Sequence, residues 1–227
     1  MKKIVIIAAM DEELEAIQNK FKDVEKKNLK ELVYYEGQAN GKEYILVKCG
    51  VGKVNSARVT QMLIDNFDIE YIMNIGIAGS LNDELEIGDI VIGKKLVQHD
   101  FDITAFGHEK GYITDTGRFF KSDDKLIKEY NRLNVEYKIL IGTIASGDIF
   151  CNQVTMKDKI RDKFNADCVE MEGAAIAQVC TLNKVSFIVI RSISDKPNGR
   201  NHIDIKKFTK MAAKRCADLI IRWIEKN

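Results

Sequence analysis

The chain has 227 residues, of which 45% are hydrophobic, and 35 Lys and Arg nearly balance 34 Asp and Glu. This length supports one sizeable core, so we predict a single domain over residues 1–227. The balanced charge disfavours a nucleic-acid-binding protein, which would carry an excess of basic residues. No stretch approaches the roughly 20 apolar residues of a membrane span, so we expect neither nucleic acid nor a membrane as partner.

The cysteines indicate a reducing compartment. Their number is odd, none forms a Cys-x-x-Cys pair, and most lie in apolar runs; they are Cys49, Cys151, Cys168, Cys180 and Cys216. We therefore expect buried, reduced thiols in a cytoplasmic protein. The apolar N-terminus is short and ends in three acids, which favours a first buried strand over a signal peptide.

Apolar runs alternate with amphipathic segments along the chain. In chain order we predict a strand over 3–9, a helix from Asp11, a hairpin over 31–50 with its turn at 39–41, a helix over 53–67, strands over 71–81 and 86–100, a helix over 122–133 capped by Ser122, a strand over 137–147, helices over 155–164 and 167–180, a strand over 185–194 and a helix over 203–226. The polar, glycine-containing stretch up to residue 121 is a candidate functional loop. Alternating strands and helices indicate an α/β protein with helices on both faces of a mixed sheet.

Ligands of such sheets collect where strands end. The segments that follow predicted strands are Met10–Glu13, Gly50–Lys53, Gly76–Ser80, Ser146–Cys151 and Ser192–Pro197. Each also has a purely structural interpretation. The glycines form turns, Glu13 is an acid at a helix N-terminus, Phe150 is a core aromatic, and Asp195 forms a turn with Pro197 and Gly199.

The segment DCVEMEGAAIAQVC (167–180) places two carboxylates directly before a small, apolar run. Such a run favours burial, and a buried carboxylate needs a bonded partner. On a helix, Glu170 and Glu172 would point roughly 200° apart, so only one could face a ligand. Arg191, the only arginine within the strand pattern, is predicted to be a structural partner of a buried carboxylate.

A metal site is not favoured. His99, Asp100 and Asp102 are close in sequence, but no second histidine cluster has ligand spacing. We interpret this segment as a solvated loop and predict no metal.

Considered jointly, the motifs resemble the nucleosidase branch of the nucleoside phosphorylase superfamily. The matching segments span residues 4–195 in order and read IIAAMDEE, CGVGKVNSA, NIGIAGSL, GDIVIG, TAFGHEKG, SGDIF, VEMEGAAIAQVC and RSISD. The resemblance implies a three-layer α/β/α fold around a mixed, barrel-like sheet, and a homodimer. It also implies hydrolysis of the N-glycosidic bond of an adenine thionucleoside, such as 5′-methylthioadenosine or S-adenosylhomocysteine, by water and with no organic cofactor.

The resemblance also implies a role for each site residue. Glu13 would deprotonate the attacking water, Asp195 would protonate N7 of adenine, and Glu172 would bind the ribose hydroxyls. The remaining residues would contact the base, the sugar or the 5′ substituent; they are Met171, Phe150, Cys151, Ala78, Gly79, Ser194 and Val51, with Ile103 and Phe106 reaching into the neighbouring subunit's alkylthio pocket.

Three alternatives stay open. A phosphorylase is disfavoured because Gly88 stands where phosphorylase relatives carry arginine, and the acids of MDEE are poor neighbours for phosphate. Aminofutalosine or a related purine nucleoside is a second possible substrate. A non-catalytic nucleoside-binding protein is the third. Ile77 stands where Ser or Thr is frequent in the family, which costs one possible hydroxyl contact. Ile205 stands, in the loop before the last helix, where many relatives have an aromatic, which leaves the lid packing over the thio group and the 5′ substituent undetermined.

Overall fold

The computed structural model of the protein describes residues 2–196 and 201–227, with residues 201–203 described by their backbone alone. The strands of these ranges are β1 (Lys3–Ala8), β2 (Glu25–Leu29), β3 (Leu32–Ala39), β4 (Lys42–Lys48), β5 (Ile69–Ser80), β6 (Ile90–Gln98), β7 (Phe120–Lys121), β8 (Ile139–Ser146), β9 (Cys168–Glu170) and β10 (Ser186–Asp195). The helices are α1 (Asp11–Gln18), α2 (Lys53–Asn66), α3 (Asp124–Asn131), α4 (Val154–Phe164), α5 (Gly173–Leu182) and α6 (Asn201–Lys226). The turn predicted at Pro197 and Gly199 lies outside the described residues.

The strands form one mixed sheet that closes on itself. Its order is β10-β6-β8-β9-β5-β1-β4-β3-β2, β7 pairs with β6, and β10 also pairs with β5. The pairing of β5 with β10 is parallel over most of both strands, and it closes β10, β6, β8, β9 and β5 into a five-stranded barrel. Strands β1, β4, β3 and β2 continue the sheet from β5, in that order, and do not join the barrel. This architecture confirms the predicted α/β fold with a mixed, barrel-like sheet.

Alternation along the strands supplies apolar side chains to both faces of the sheet. In β1, Val5 and Ile7 belong to one apolar cluster, which includes residues of α2 and α5, whereas Ile4 and Ile6 belong to a second, which includes residues of α1, α3 and α6. Successive side chains of a strand point to opposite faces. The sheet is therefore covered by helices on both faces, as its continuous apolar strands predict.

Some local predictions are wrong. Residues 168–170 form strand β9 and the following helix begins only at Gly173, so Glu170 and Glu172 do not share a helix. Helix α3 is capped by Asp123 and not by Ser122, because the Asp123 carboxylate accepts the backbone N–H groups of residues 125 and 126. Ile205 lies within α6 and not in a loop before it, because that helix begins at residue 201.

The described helices contain no membrane-spanning candidate. None of those in residues 2–196 and 201–227 is long and apolar enough to cross a bilayer.

Candidate active site

A mainly apolar cavity of about 250 Å³ lies beside the end of β10. Ten of the twelve predicted site residues line it: Glu13, Val51, Ala78, Gly79, Phe150, Cys151, Met171, Glu172, Ser194 and Asp195. Met10, Ile77, Glu170 and Ile205 line it too, and so does Ile149 from the predicted ligand-collecting segment Ser146–Cys151. Ala9 and Val169 also line it but were not predicted, because both lie in apolar segments and no sequence signal separates them from core residues.

Glu13 is held by backbone groups from two elements. Its Oε2 accepts hydrogen bonds from the N–H groups of Ala9 (2.9 Å) and Met10 (3.0 Å), and its Oε1 accepts one from Ile77 (2.9 Å). A Cβ atom on Gly76 would lie 2.6 Å from Oε1, so any side chain there would displace the Glu13 carboxylate from this position. Burial raises the pKa of Glu13, although the nearby Arg191 charge and the three N–H groups oppose this shift.

Glu172 precedes α5 as its N-cap residue, and its side chain points towards another segment. Its Oε1 accepts a hydrogen bond of 2.8 Å from the backbone N–H of Gly52, which immediately precedes α2. Burial, and then the charge of Glu170, raise the pKa of Glu172 to about 8.

Glu170 is engaged in a buried ion pair with Arg191. The Arg191 guanidinium donates to Oε2 of Glu170 through Nε (3.2 Å) and through Nη2, and both side chains are almost fully buried. The backbone N–H of Gly173 and the hydroxyl of Ser146 also donate to Glu170. This confirms Arg191 as the structural partner of a buried carboxylate, and it leaves Glu172 as the less constrained carboxylate of the pair.

Asp195 ends β10, and only 2% of its surface is exposed. The Ser194 hydroxyl donates a hydrogen bond of 2.8 Å to Oδ1 of Asp195. Phe150 is 45% exposed at the cavity, whereas Cys151 is buried. Burial, and then the Asp195 charge, raise the pKa of the Cys151 thiol to about 11, so this thiol is neutral.

Two predicted residues lie outside the cavity. Ile103 and Phe106 belong to the loop after β6, and Phe106 is 81% exposed. In the same region, Asp100 accepts a hydrogen bond from the Lys53 ammonium. No group of three or more His, Cys, Asp or Glu side chains within the described residues is arranged to hold a metal ion.

Removing Arg191 would leave Glu170 buried without its cation. We expect Arg191→Met to lower the free energy of unfolding by about 3–5 kcal/mol, measured by urea denaturation at pH 7. The matched control is Lys20→Met, which breaks a pair with Asp218 that is about one third exposed and should cost less than about 1 kcal/mol. Equal losses in the two variants would contradict a structural ion pair.

The raised pKa of Glu172 also predicts how stability depends on pH. Because the native state binds this proton more tightly than the unfolded chain, the contribution is complete below pH 4.5 and is lost as pH rises towards 8. Glu172→Gln keeps an acceptor for Gly52 but cannot ionise. Relative to the wild type, it should gain about 4 kcal/mol in unfolding free energy between pH 5 and pH 8.5. The measurement is urea denaturation at both pH values, with the exposed Glu12→Gln as control. If the unfolding free energies of both variants changed with pH as the wild type's does, the raised pKa of Glu172 would be contradicted.

The chain is similar to known proteins over nearly its whole length. A family model described as the phosphorylase superfamily matches residues 3–225. The chain is 39% identical, over 96% of both chains, to a 5′-methylthioadenosine/S-adenosylhomocysteine nucleosidase of Geobacillus sp. (strain WCH70). It is 38% identical, over the full length of both, to an aminodeoxyfutalosine nucleosidase of Campylobacter jejuni.

A solved structure of a nucleosidase has the same fold as this chain. The 5′-methylthioadenosine/S-adenosylhomocysteine nucleosidase of Helicobacter pylori superimposes with a TM-score of 0.96 at 33% identity, covering 100% of this chain and 99% of that one. The match of fold, of nearly the whole sequence and of the family model leads to one conclusion: this chain belongs to the phosphorylase superfamily.

Proposed function

We propose that the protein hydrolyses the N-glycosidic bond of 5′-methylthioadenosine and S-adenosylhomocysteine, releasing adenine and the thioribose product. One observation carries this proposal. Glu13, Glu172 and Asp195 are far apart in sequence, yet all three line a single cavity, and no Lys or Arg is found among the described residues that line it. Relatives with this named activity share 34–39% of the sequence over nearly the full chain, which supports the same substrates.

The three carboxyl groups suit the charges that develop in this reaction. Breaking the bond between ribose and adenine leaves positive charge on the sugar and negative charge on the base. Asp195 protonates N7 of the base, and Glu172 holds the ribose hydroxyls through hydrogen bonds that strengthen as the sugar becomes cationic. Glu13 accepts a proton from the attacking water, as the base does in inverting glycoside hydrolysis.

The environment of Glu13 suits a general base. Three backbone N–H groups fix the carboxylate, so little reorganisation is needed when a water molecule binds. A pKa raised by burial brings the group closer to the working pH, where a base accepts a proton more effectively. Ser194 orients Asp195 in a comparable way through its hydroxyl.

The remaining lining residues bind the nucleoside. Phe150 stacks on the purine, and the backbone of Cys151 reads its edge. Ala78 and Gly79 have little or no side chain, so their backbone approaches the substrate closely. Met171 lies beside the ribose, and Val51 contacts the 5′ side.

Water is favoured over phosphate as the nucleophile. A phosphorylase must bind an anion, for which arginine forks are well suited. Arg191 is already engaged by Glu170 and by Asn74. At the slot where phosphorylase relatives carry arginine, the backbone of Gly88 accepts a hydrogen bond from Arg215, and Gly88 is not part of the cavity lining.

The test of the proposed chemistry is adenine release by purified variants. Glu13→Gln and Asp195→Asn should each lower kcat by about two to four orders of magnitude, because each removes a proton-transfer group. Glu12→Gln, in the same turn of α1 but exposed, is the matched control and should keep wild-type activity. Full activity in either variant with unchanged circular dichroism would overturn the mechanism.

The same assay separates the alternatives. Hydrolysis needs no phosphate, whereas a phosphorylase would require it and form ribose-1-phosphate. A non-catalytic binding protein would bind the nucleoside without releasing adenine.

An aminodeoxyfutalosine-type nucleoside is a second candidate substrate. It is favoured by the full-length similarity to the Campylobacter jejuni aminodeoxyfutalosine nucleosidase. Ile205, an aliphatic residue of α6, lines the cavity, and a longer 5′ substituent would pack against it. Comparing kcat/KM for the three nucleosides decides between the candidates.

We also propose that one domain, residues 1–227, assembles as a cytoplasmic homodimer. The family model covers residues 3–225 as one unit, which supports a single domain. Apolar side chains remain exposed at the cavity, with Val51 at 48%, Ile149 at 52% and Phe150 at 45%. A second copy covers them with the loop after β6, which carries the partly buried Ile103 and the exposed Phe106.

This assembly predicts a defect for Phe106→Asp. A charge within an apolar contact should raise the dimer dissociation constant at least about tenfold, with a higher KM, measured by light scattering during gel filtration and by adenine release. Leu182→Asp changes another exposed apolar residue, 61% exposed at the end of α5, and should leave both values unchanged. A monomeric wild type with full activity would contradict the proposal.

A further inference from the structure

Helix α2 begins without a side-chain cap of its own. Its N-cap residue is Gly52, whose φ of 98° suits glycine. Two backbone N–H groups at this end are accepted by carboxylates from elsewhere in the chain. Gly52 donates to Oε1 of Glu172 at 2.8 Å, and Lys53 donates to Oδ1 of Asp148 at 2.8 Å.

A third carboxylate links these groups. Asp100, after β6, accepts a hydrogen bond from the Lys53 ammonium through Oδ1 (2.7 Å) and one from the backbone N–H of Asp148 through Oδ2 (2.9 Å). The side chains of Lys53 and Asp100 are only 18% and 13% exposed. Charge-assisted bonds with this burial are stronger than those of a surface ion pair.

We propose that Lys53, Asp100 and Asp148 form a clamp that positions the Gly52 amide against Glu172 and the Phe150 loop against the base. All three are positioning residues, since none of them lines the nucleoside cavity. The inference rests on the proposed function, because it gives the clamp its role in that reaction.

Two features of the loop show why a clamp is needed. Asp148, Ile149 and Phe150 are exposed, so little packing fixes them. Phe150 follows Asp148 by only two residues, so the position of the Asp148 backbone limits where the aromatic ring can lie. A site of this kind tolerates displacements of only about half an ångström.

The hydrogen bond from the Gly52 amide affects a measurable quantity, the pKa of Glu172. A clamp that only stabilised the fold would not change this pKa. The hydrogen bond favours the ionised form of Glu172, so its loss should raise the pKa of that carboxyl. The other charged or titratable groups that influence Glu172 are Glu170, Arg191, Glu13 and Cys49. None of these is changed by substitutions in the clamp.

The experiment uses Lys53→Met and Asp100→Asn in the full chain. Both substitutions break the clamp, but Lys53→Met removes a positive charge whereas Asp100→Asn removes a negative one. If the clamp positions the Gly52 amide, both substitutions should raise the pKa of Glu172 by about half a unit or more. This pKa is measured by NMR of the carboxyl carbon in the ligand-free protein, and Glu172→Gln assigns the signal. Both should also lower kcat/KM for adenine release about tenfold, and Lys53→Arg should restore most of it.

Lys3→Met is the matched control. It breaks an ion pair with Glu36 of similar burial, at the start of β1, and should change neither the titration nor kcat/KM. Shifts of opposite sign in the two clamp variants would reveal a simple charge effect and overturn the proposal. Wild-type titration in both would overturn it as well. If the wild type releases no adenine, the proposed function fails, while the NMR titration still decides whether the clamp positions Gly52.

Discussion

The buried pair of Arg191 and Glu170 is the interaction on which the site depends. Arg191 lies on β10 and Glu170 ends β9, and these strands are not neighbours in the barrel. The pair therefore connects the two strands by side chains alone. Ionised partners in such a place must be satisfied on all sides, and here Asn74, Ser146 and the start of α5 supply the remaining hydrogen bonds.

This pair also sets the electrostatics of the cavity. Arg191 favours ionisation of Glu13 and Glu172, whereas Glu170 opposes ionisation of Glu172. One buried cation thus serves three buried carboxylates, and burial leaves both Glu13 and Glu172 with raised pKa values. Where these carboxyl groups are ionised, with Arg191 favouring that form, they stabilise positive charge on a sugar and repel an anionic nucleophile, which favours the nucleoside over phosphate.

The sequence predicted the parts of the fold that depend on local pattern. Continuous apolar runs identified the central strands, and helical spacing identified most helices. Strand β2 was missed because EKKNL has the composition of a surface segment, and it is a strand only because β3 pairs with it at the edge of the sheet. The stretch 168–172 was assigned to a helix because three residues of strand followed by an apolar helix show no change of period.

The site was predictable where chemistry and local structure coincide, and not where it depends on closure of the barrel. Glu13 illustrates the first case. Its structural interpretation as an acid at a helix N-terminus does not compete with a catalytic one, since the N–H groups around the start of α1 are what hold the carboxylate in the cavity.

Asp100 and Asp148 illustrate the second case, in which the contact depends on closure of the barrel. They are 48 residues apart, and each alone resembles an ordinary loop acid. Their contact exists because β6 and β8 lie side by side in the barrel, so that the segments following both strands meet the start of α2.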